Sequence, residues 1–132
     1  MTDDIFRENI LDHFRDPRNK GTIANADIEF QDHNPLCGDE VHIYLKLDEN
    51  QTIVDIKTES KGCAISQAVA SMLTDALKGK TIEEIRQMKN KFVFDLLQIQ
   101  LSPIRVKCAL LALKAMQKGI YKYLGATMTD DE

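Results

Sequence analysis

Val41-His42-Ile43-Tyr44-Leu45-Lys46-Leu47 alternates apolar and polar side chains without a break. A period of two puts Val41, Ile43, Leu45 and Leu47 on one face and His42, Tyr44 and Lys46 on the other, the pattern of a strand with one buried face. Asp48-Glu49-Asn50-Gln51 follows with turn-forming residues, and the short run over residues 53–59 supplies the returning strand of a hairpin. Upstream, after a loop over residues 21–26, residues 28–31 read as a shorter third strand. These runs predict a small antiparallel sheet covered on one face only.

On both sides of the strands the period becomes helical. Phe6, Ile10, Leu11 and Phe14 recur at three- and four-residue spacings until Asp16-Pro17 ends the pattern, so an amphipathic helix over residues 4–15 is expected on the domain surface. After Cys63, the residues Ile65, Ala68, Val69, Met72, Leu73, Ala76 and Leu77 form one stripe that stops at Lys78-Gly79. Thr81-Ile82-Glu83-Glu84 has the capping-box form, Thr with Glu three residues on, and starts a short helix to about Lys89. Another short helix is expected over residues 92–98. Pro103 opens a final helix with the stripe Cys108, Leu111, Ala112, Ala115, Met116, Ile120 and Tyr123, and Gly125 stops it. Strands followed by helices give an α+β sandwich, a three-stranded antiparallel sheet with helices packed on its apolar face. A single domain over residues 1–132 is expected, with the acidic tail, residues 127–132, frayed.

The composition narrows the function. With 43% hydrophobic and 29% charged residues the chain has the balance of a soluble globular domain. A net charge of −4, with only a few lysines clustered around Lys89 and Lys91, excludes a nucleic-acid role. Met1-Thr2-Asp3-Asp4 is acidic and lacks the apolar region of a leader, and no stretch approaches the roughly 20 apolar residues that span a bilayer. A cytoplasmic protein with no membrane partner is expected. Three cysteines, none in a C-x-x-C pair, fit reduced thiols better than a disulfide framework.

Each thiol has its own setting. Cys37 lies in Asn34-Pro35-Leu36-Cys37-Gly38-Asp39, Cys63 follows Gly62 at the start of a helix, and Cys108 lies just inside the helix that Pro103 opens. One glycine separates Cys37 from Asp39, so the two side chains can point to the same side and Gly38 lets the backbone bend towards a ligand. The helix N-terminus at Cys63, and Arg105 and Lys107 beside Cys108, each favour a thiolate. Three sulfurs and one carboxylate can serve a single ion or cluster. Simpler readings compete. Cys108 on an apolar stripe has the position of core filler, and Asp39 alone has that of a turn residue or cap. His33 lies near enough to ligate or relay protons, whereas His42 falls on the polar strand face and His13 on a helix. A hydrolytic Cys37 and His33 pair lacks an elbow, an oxyanion motif and a third orienting residue.

The motifs Asn34-Pro35-Leu36-Cys37-Gly38-Asp39, Gly62-Cys63-Ala64-Ile65-Ser66 and Arg105-Val106-Lys107-Cys108, in this order, resemble the signatures of the U-type iron-sulfur cluster scaffolds, the family of IscU, SufU and the NifU N-terminal domain. Asp12-His13-Phe14-Arg15-Asp16-Pro17-Arg18-Asn19 resembles that family's first helix and the turn after it. The resemblance implies the family's α+β sandwich, with Cys37, Asp39, Cys63 and Cys108 as ligands of a transient iron-sulfur cluster, a 2Fe-2S cluster by expectation, or of Zn2+. It implies a scaffold rather than an enzyme. Sulfur would come from a cysteine desulfurase, with Cys108 expected to receive it and Lys107 to supply nearby positive charge, and the cluster would pass to apo iron-sulfur proteins. Lys107 stands where IscU has a histidine, and Leu101-Ser102-Pro103-Ile104-Arg105 is a degenerate form of the IscU chaperone motif. The motifs are SufU-like, yet residues 79–103 are too short to hold the usual SufU insertion. A second reading follows from zinc in the same four residues, a zinc-dependent sulfur acceptor that stimulates a desulfurase.

Overall fold

Alternating burial in the central strand organises the fold. The computed structural model describes residues 2–35 and 38–125; Leu36, Cys37 and the tail expected to fray lie outside the described residues. In chain order the elements are α1 (Thr2–Arg15), β1 (Ile28–Asn34), β2 (Asp39–Leu47), β3 (Ile53–Lys61), α2 (Ala64–Leu77), α3 (Ile82–Arg86), α4 (Lys91–Leu97) and α5 (Pro103–Tyr123). The strands pair antiparallel in the order β1-β2-β3. Asp48 builds the β2–β3 turn, its Oδ1 accepting from Asn50 N at 2.8 Å and Thr52 N at 3.0 Å.

Helices α2 and α5 cover one face of the sheet, α2 against β3 and α5 against β1 and β2, and they pack on each other. Ile43, Leu45, Ile56, Leu73 and Met116 are fully buried between these layers, each contributing about 1.5–3 kcal/mol of transfer free energy. At Gly119 a side chain would meet Ile28 Cγ2 at 3.0 Å and Phe30 Cβ at 3.1 Å, so the glycine lets α5 lie against β1.

At their shared end, β1 and β2 reach beyond the expected runs. Asp32, His33 and Asn34 continue β1 in register with Val41, Glu40 and Asp39. Backbone pairing there is set by the neighbouring strand, not by side-chain apolarity. Tyr44, placed by alternation on the polar face, is only 7% exposed, because His42 stacks on it with ring centroids 4.5 Å apart. Burial, with Glu59 and Glu29 nearby, pushes the Tyr44 phenol up. Tyr123, expected on the buried stripe of α5, is 46% exposed at the last residue of the helix.

Helix α2 is buried on more than the expected stripe, since Ser66, Ala70, Ser71 and Thr74 are buried too. Their cover includes α1, whose Ile10 is buried and which packs along α2. The turn after α1 is pinned by polar groups. Ser71 Oγ lies 2.7 Å from His13 Nδ1 and accepts from Arg18 N at 2.8 Å, and Asn19 Nδ2 donates to Thr74 Oγ1 at 2.9 Å. The following residues run beside the outer edge of β3, with Gly21 N donating to Thr58 O at 3.0 Å and Thr58 N to Asn19 O at 3.1 Å. The capping box at Thr81 and Glu84 forms as expected, and Ser102 caps α5 ahead of Pro103.

Candidate metal centre

Three distant stretches meet at one end of the sheet. Asp39 is the first residue of β2 and fully buried, Cys63 is the N-cap of α2, and Cys108 lies fully buried in the second turn of α5. One carboxylate oxygen of Asp39 and the Sγ atoms of Cys63 and Cys108 all lie within 4.8 Å of one another. The connection that brings them there begins at Asn34, whose carbonyl accepts from Gly38 N at 2.9 Å while Gly38 takes φ +70°. Asn34 and Asp39 pair directly, as the last residue of β1 and the first of β2.

Asp39 uses its two oxygens differently. Oδ1 accepts the backbone N–H of Cys63 at 2.7 Å, and Oδ2 faces the Cys63 thiol at 3.5 Å. Cys63, with φ −71° and ψ 162°, makes no side-chain bond to the first amides of α2, so its sulfur is directed at the carboxylate instead. Gly62 completes the junction with φ +121°; a Cβ there would lie 2.0 Å from Asp39 Oδ1. Gln67 Nε2 holds the Gly62 carbonyl at 2.8 Å, and Ser66 Oγ donates to the Cys63 carbonyl at 3.1 Å.

Of the residues singled out in the sequence, Asp39, Cys63 and Cys108 are brought together, and Cys37 lies outside the described residues. His33 is exposed on β1 opposite Glu40, and His42 lies 2.9 Å from Glu29 on the outer sheet face; neither belongs to the cluster. Lys107 is exposed beside the buried Cys108. The role of Gly62 as the space that Asp39 occupies was not read from the sequence, where the only signal was a glycine directly before a cysteine.

The donor set fits a thiophilic divalent ion. Tetrahedral zinc with one thiolate and one carboxylate oxygen holds those two atoms about 3.5 Å apart, the separation of Cys63 Sγ and Asp39 Oδ2. A buried carboxylate beside two thiols is costly to charge alone, and a cation in the same pocket offsets that cost.

The profile of the family described as NifU-like N terminal domain matches residues 5–130. The zinc-dependent sulfurtransferase SufU of Bacillus subtilis is 38% identical over 141 aligned positions, which cover 93% of this chain and 94% of that protein. That alignment is longer than the 132 residues here, so the relative carries residues with no counterpart in this chain. The iron-sulfur cluster assembly scaffold protein IscU 1 of Archaeoglobus fulgidus is 39% identical over 119 residues, covering 90% of this chain and 76% of that one. A crystal structure from Fervidobacterium islandicum, described as an iron-sulfur cluster assembly scaffold protein for the SUF system, superposes with a TM-score of 0.75 at 30% identity, covering 86% of this chain and 94% of the other.

Proposed function

The chain belongs to the NifU-like N-terminal domain family, and on that premise we propose that it is an iron-sulfur cluster assembly scaffold. It receives sulfur from a cysteine desulfurase, combines it with iron, holds the resulting cluster as cargo and passes it to apo iron-sulfur proteins in the cytoplasm. The observation that carries this reading is the meeting of Asp39, Cys63 and Cys108 within 4.8 Å. Cys37 is assigned as the fourth ligand, and one intervening residue keeps its Cα within about 7 Å of that of Asp39 by chain length alone.

A scaffold has to release what it builds. Three thiolates hold iron firmly, whereas a single carboxylate is a harder and more exchangeable donor towards a cluster. Asp39 is therefore the ligand that lets go of the cargo most readily. Its Oδ1 accepts the Cys63 amide and its Oδ2 faces the Cys63 thiol, which puts Oδ2 beside the sulfur that would share the ion. No helix of the described residues is long and apolar enough to cross a membrane.

The likeness to the Bacillus subtilis sulfurtransferase supports a second reading, in which the same four residues hold zinc and the protein is a sulfur acceptor that stimulates a desulfurase. Zinc there would keep the thiols deprotonated and fixed in place. Anaerobic reconstitution with ferrous iron, a cysteine desulfurase and L-cysteine, followed by visible spectroscopy and metal analysis, separates the two. A sulfide-to-iron charge-transfer band that is lost in the Cys37→Ser, Cys63→Ser and Cys108→Ser variants is expected of the scaffold. Tightly held colourless zinc with no such band, together with faster desulfurase turnover, is expected of the acceptor. Neither metal bound would end both.

A further inference from the structure

We propose that Gln67 is a positioning residue of this site, one whose side chain sets how firmly Asp39 and Cys63 hold a metal ion. The inference deepens the functional reading above and rests on it, since both readings need metal held by these residues. The pairing of β3 with β2 ends at Lys61, opposite Glu40. The backbone bonding of α2 begins at the Cys63 carbonyl, which accepts from Gln67 N at 3.2 Å. The Gly62–Cys63 peptide therefore falls between the two elements, and neither ladder holds it. Cys63 stands at the N-cap without a side-chain bond to the helix, so its own thiol does not hold the junction either.

Two side chains hold that peptide instead. The Gly62 carbonyl accepts from Gln67 Nε2 at 2.8 Å, and the Cys63 N–H, at the other end of the same peptide, donates to Asp39 Oδ1 at 2.7 Å. A peptide is planar, so fixing its carbonyl also aims its N–H. Gly62, at φ +121°, is the residue whose backbone would otherwise let that plane turn. Turning it would carry Cys63 along and withdraw the N–H that fixes the rotation of Asp39, loosening both donors together. Ligand distances in a metal site hold to within about 0.2 Å, and the 3.5 Å between Cys63 Sγ and Asp39 Oδ2 already suits a shared ion. Gln67 thus acts on two ligands through one peptide, in the way outer partners orient the groups that bind a metal.

Folding and metal retention separate at this residue. Gln67 is half-buried and its bond to Gly62 lies at the surface, so losing that bond strands no deeply buried group. Its place in the first turn of α2 accepts alanine or methionine, both strong helix formers, without weakening the helix. The cost falls on the junction, where the carbonyl of Gly62 loses its anchor.

The test measures retention and folding side by side. Zinc-loaded wild type, Gln67→Ala and Gln67→Met are mixed with excess chromophoric chelator, and zinc release is followed in time. Both variants should release zinc about threefold to tenfold faster, the size of effect that one lost hydrogen bond carries, with urea unfolding of the metal-free chains little changed. Amide hydrogen exchange of the metal-free chains, resolved by NMR, should show the Cys63 N–H exchanging at least about threefold faster in the variants. Leu73, fully buried further along α2, should exchange as in the wild type. Gln87→Ala, which removes an exposed bond to Glu83 Oε1 at the end of α3, should release zinc at the wild-type rate. Wild-type release in both Gln67 variants, or equal acceleration in Gln87→Ala, overturns the proposal, while zinc bound by the wild type leaves the functional reading standing. A wild type that binds neither zinc nor iron overturns the functional reading and this inference with it.

Discussion

Gly62 and Asp39 occupy each other's space: a Cβ on Gly62 would stand 2.0 Å from Asp39 Oδ1 and 2.7 Å from Asp39 Cα. The junction between β3 and α2 thus lies flat against the first residue of β2, and the same Oδ1 accepts the next amide, that of Cys63, at 2.7 Å. Three features needed for a ligand cluster follow from this contact. The carboxylate is buried, its rotation is fixed, and the helix cap carrying Cys63 is held against it.

Gly62→Ala tests that contact. The substituted residue would have to adopt φ +121°, and its methyl would displace the carboxylate. Strain of this kind costs of the order of 1–3 kcal/mol before any clash is added, so a loss of about 3 kcal/mol or more in urea unfolding is expected. Zinc titration of whatever fraction stays folded should show the oxygen ligand lost. Unchanged zinc affinity at unchanged stability would show that the junction can move aside.

Asp39→Asn separates the brace from the ligand. Asn keeps an oxygen for the Cys63 amide but removes the negative charge from a position with no exposure. Folding stability without metal should change little, because the substituted side chain keeps its acceptor for the Cys63 amide. Zinc affinity should fall by more than the 10–100-fold that loss of an outer partner already costs. Competition with a chromophoric chelator measures the second, and urea unfolding of the metal-free chain the first.

Metal should in turn stabilise the fold, because its ligands lie on β2, α2 and α5 and come together only in the folded chain. Zinc at a hundred times its dissociation constant adds about 2.7 kcal/mol if the unfolded chain does not bind it. Differential scanning calorimetry with zinc and then with excess chelator should show the melting temperature fall by roughly 10 °C. A chelator with no effect would place the three donors in a site that binds no zinc.

The strands and helices were legible because their apolar periods differ, two in Val41 to Leu47 and 3.6 after Cys63. Less legible were the segments that pairing or packing supports without apolar side chains. Asp32, His33 and Asn34 extend β1 because β2 lies opposite them, and Ser71 and Thr74 are buried because α1 and the turn after it lie over them. No local pattern announces either. The candidate site was half legible in the same sense. Residue type and resemblance singled out Cys63, Cys108 and Asp39, but only the fold places Cys108 in the interior and Cys63 at the rim.

Acidification should act on the joint between α1 and α2 through His13. Its ring lies 2.7 Å from Ser71 Oγ, which also holds the Arg18 amide, so the imidazole is part of the pin that fixes the turn after α1. Burial first, and then the Arg18 guanidinium, hold His13 below its ordinary value of 6.5, while Asp75 and Asp12 pull the other way. The unfolded chain therefore takes up this proton before the folded one does. The contribution of neutral His13 is fully present above pH 6.5, the unfolded value, and is lost as pH falls below it through the folded value. His13→Asn keeps a hydrogen-bonding atom near the Nδ1 position but does not titrate, so urea stability measured from pH 7.5 down to 5 should fall less steeply in the variant than in the wild type. The carboxylates that face the ring remain in both proteins, so the difference between the two slopes reports His13 itself. Identical slopes would mean that His13 does not set the pH response of this joint.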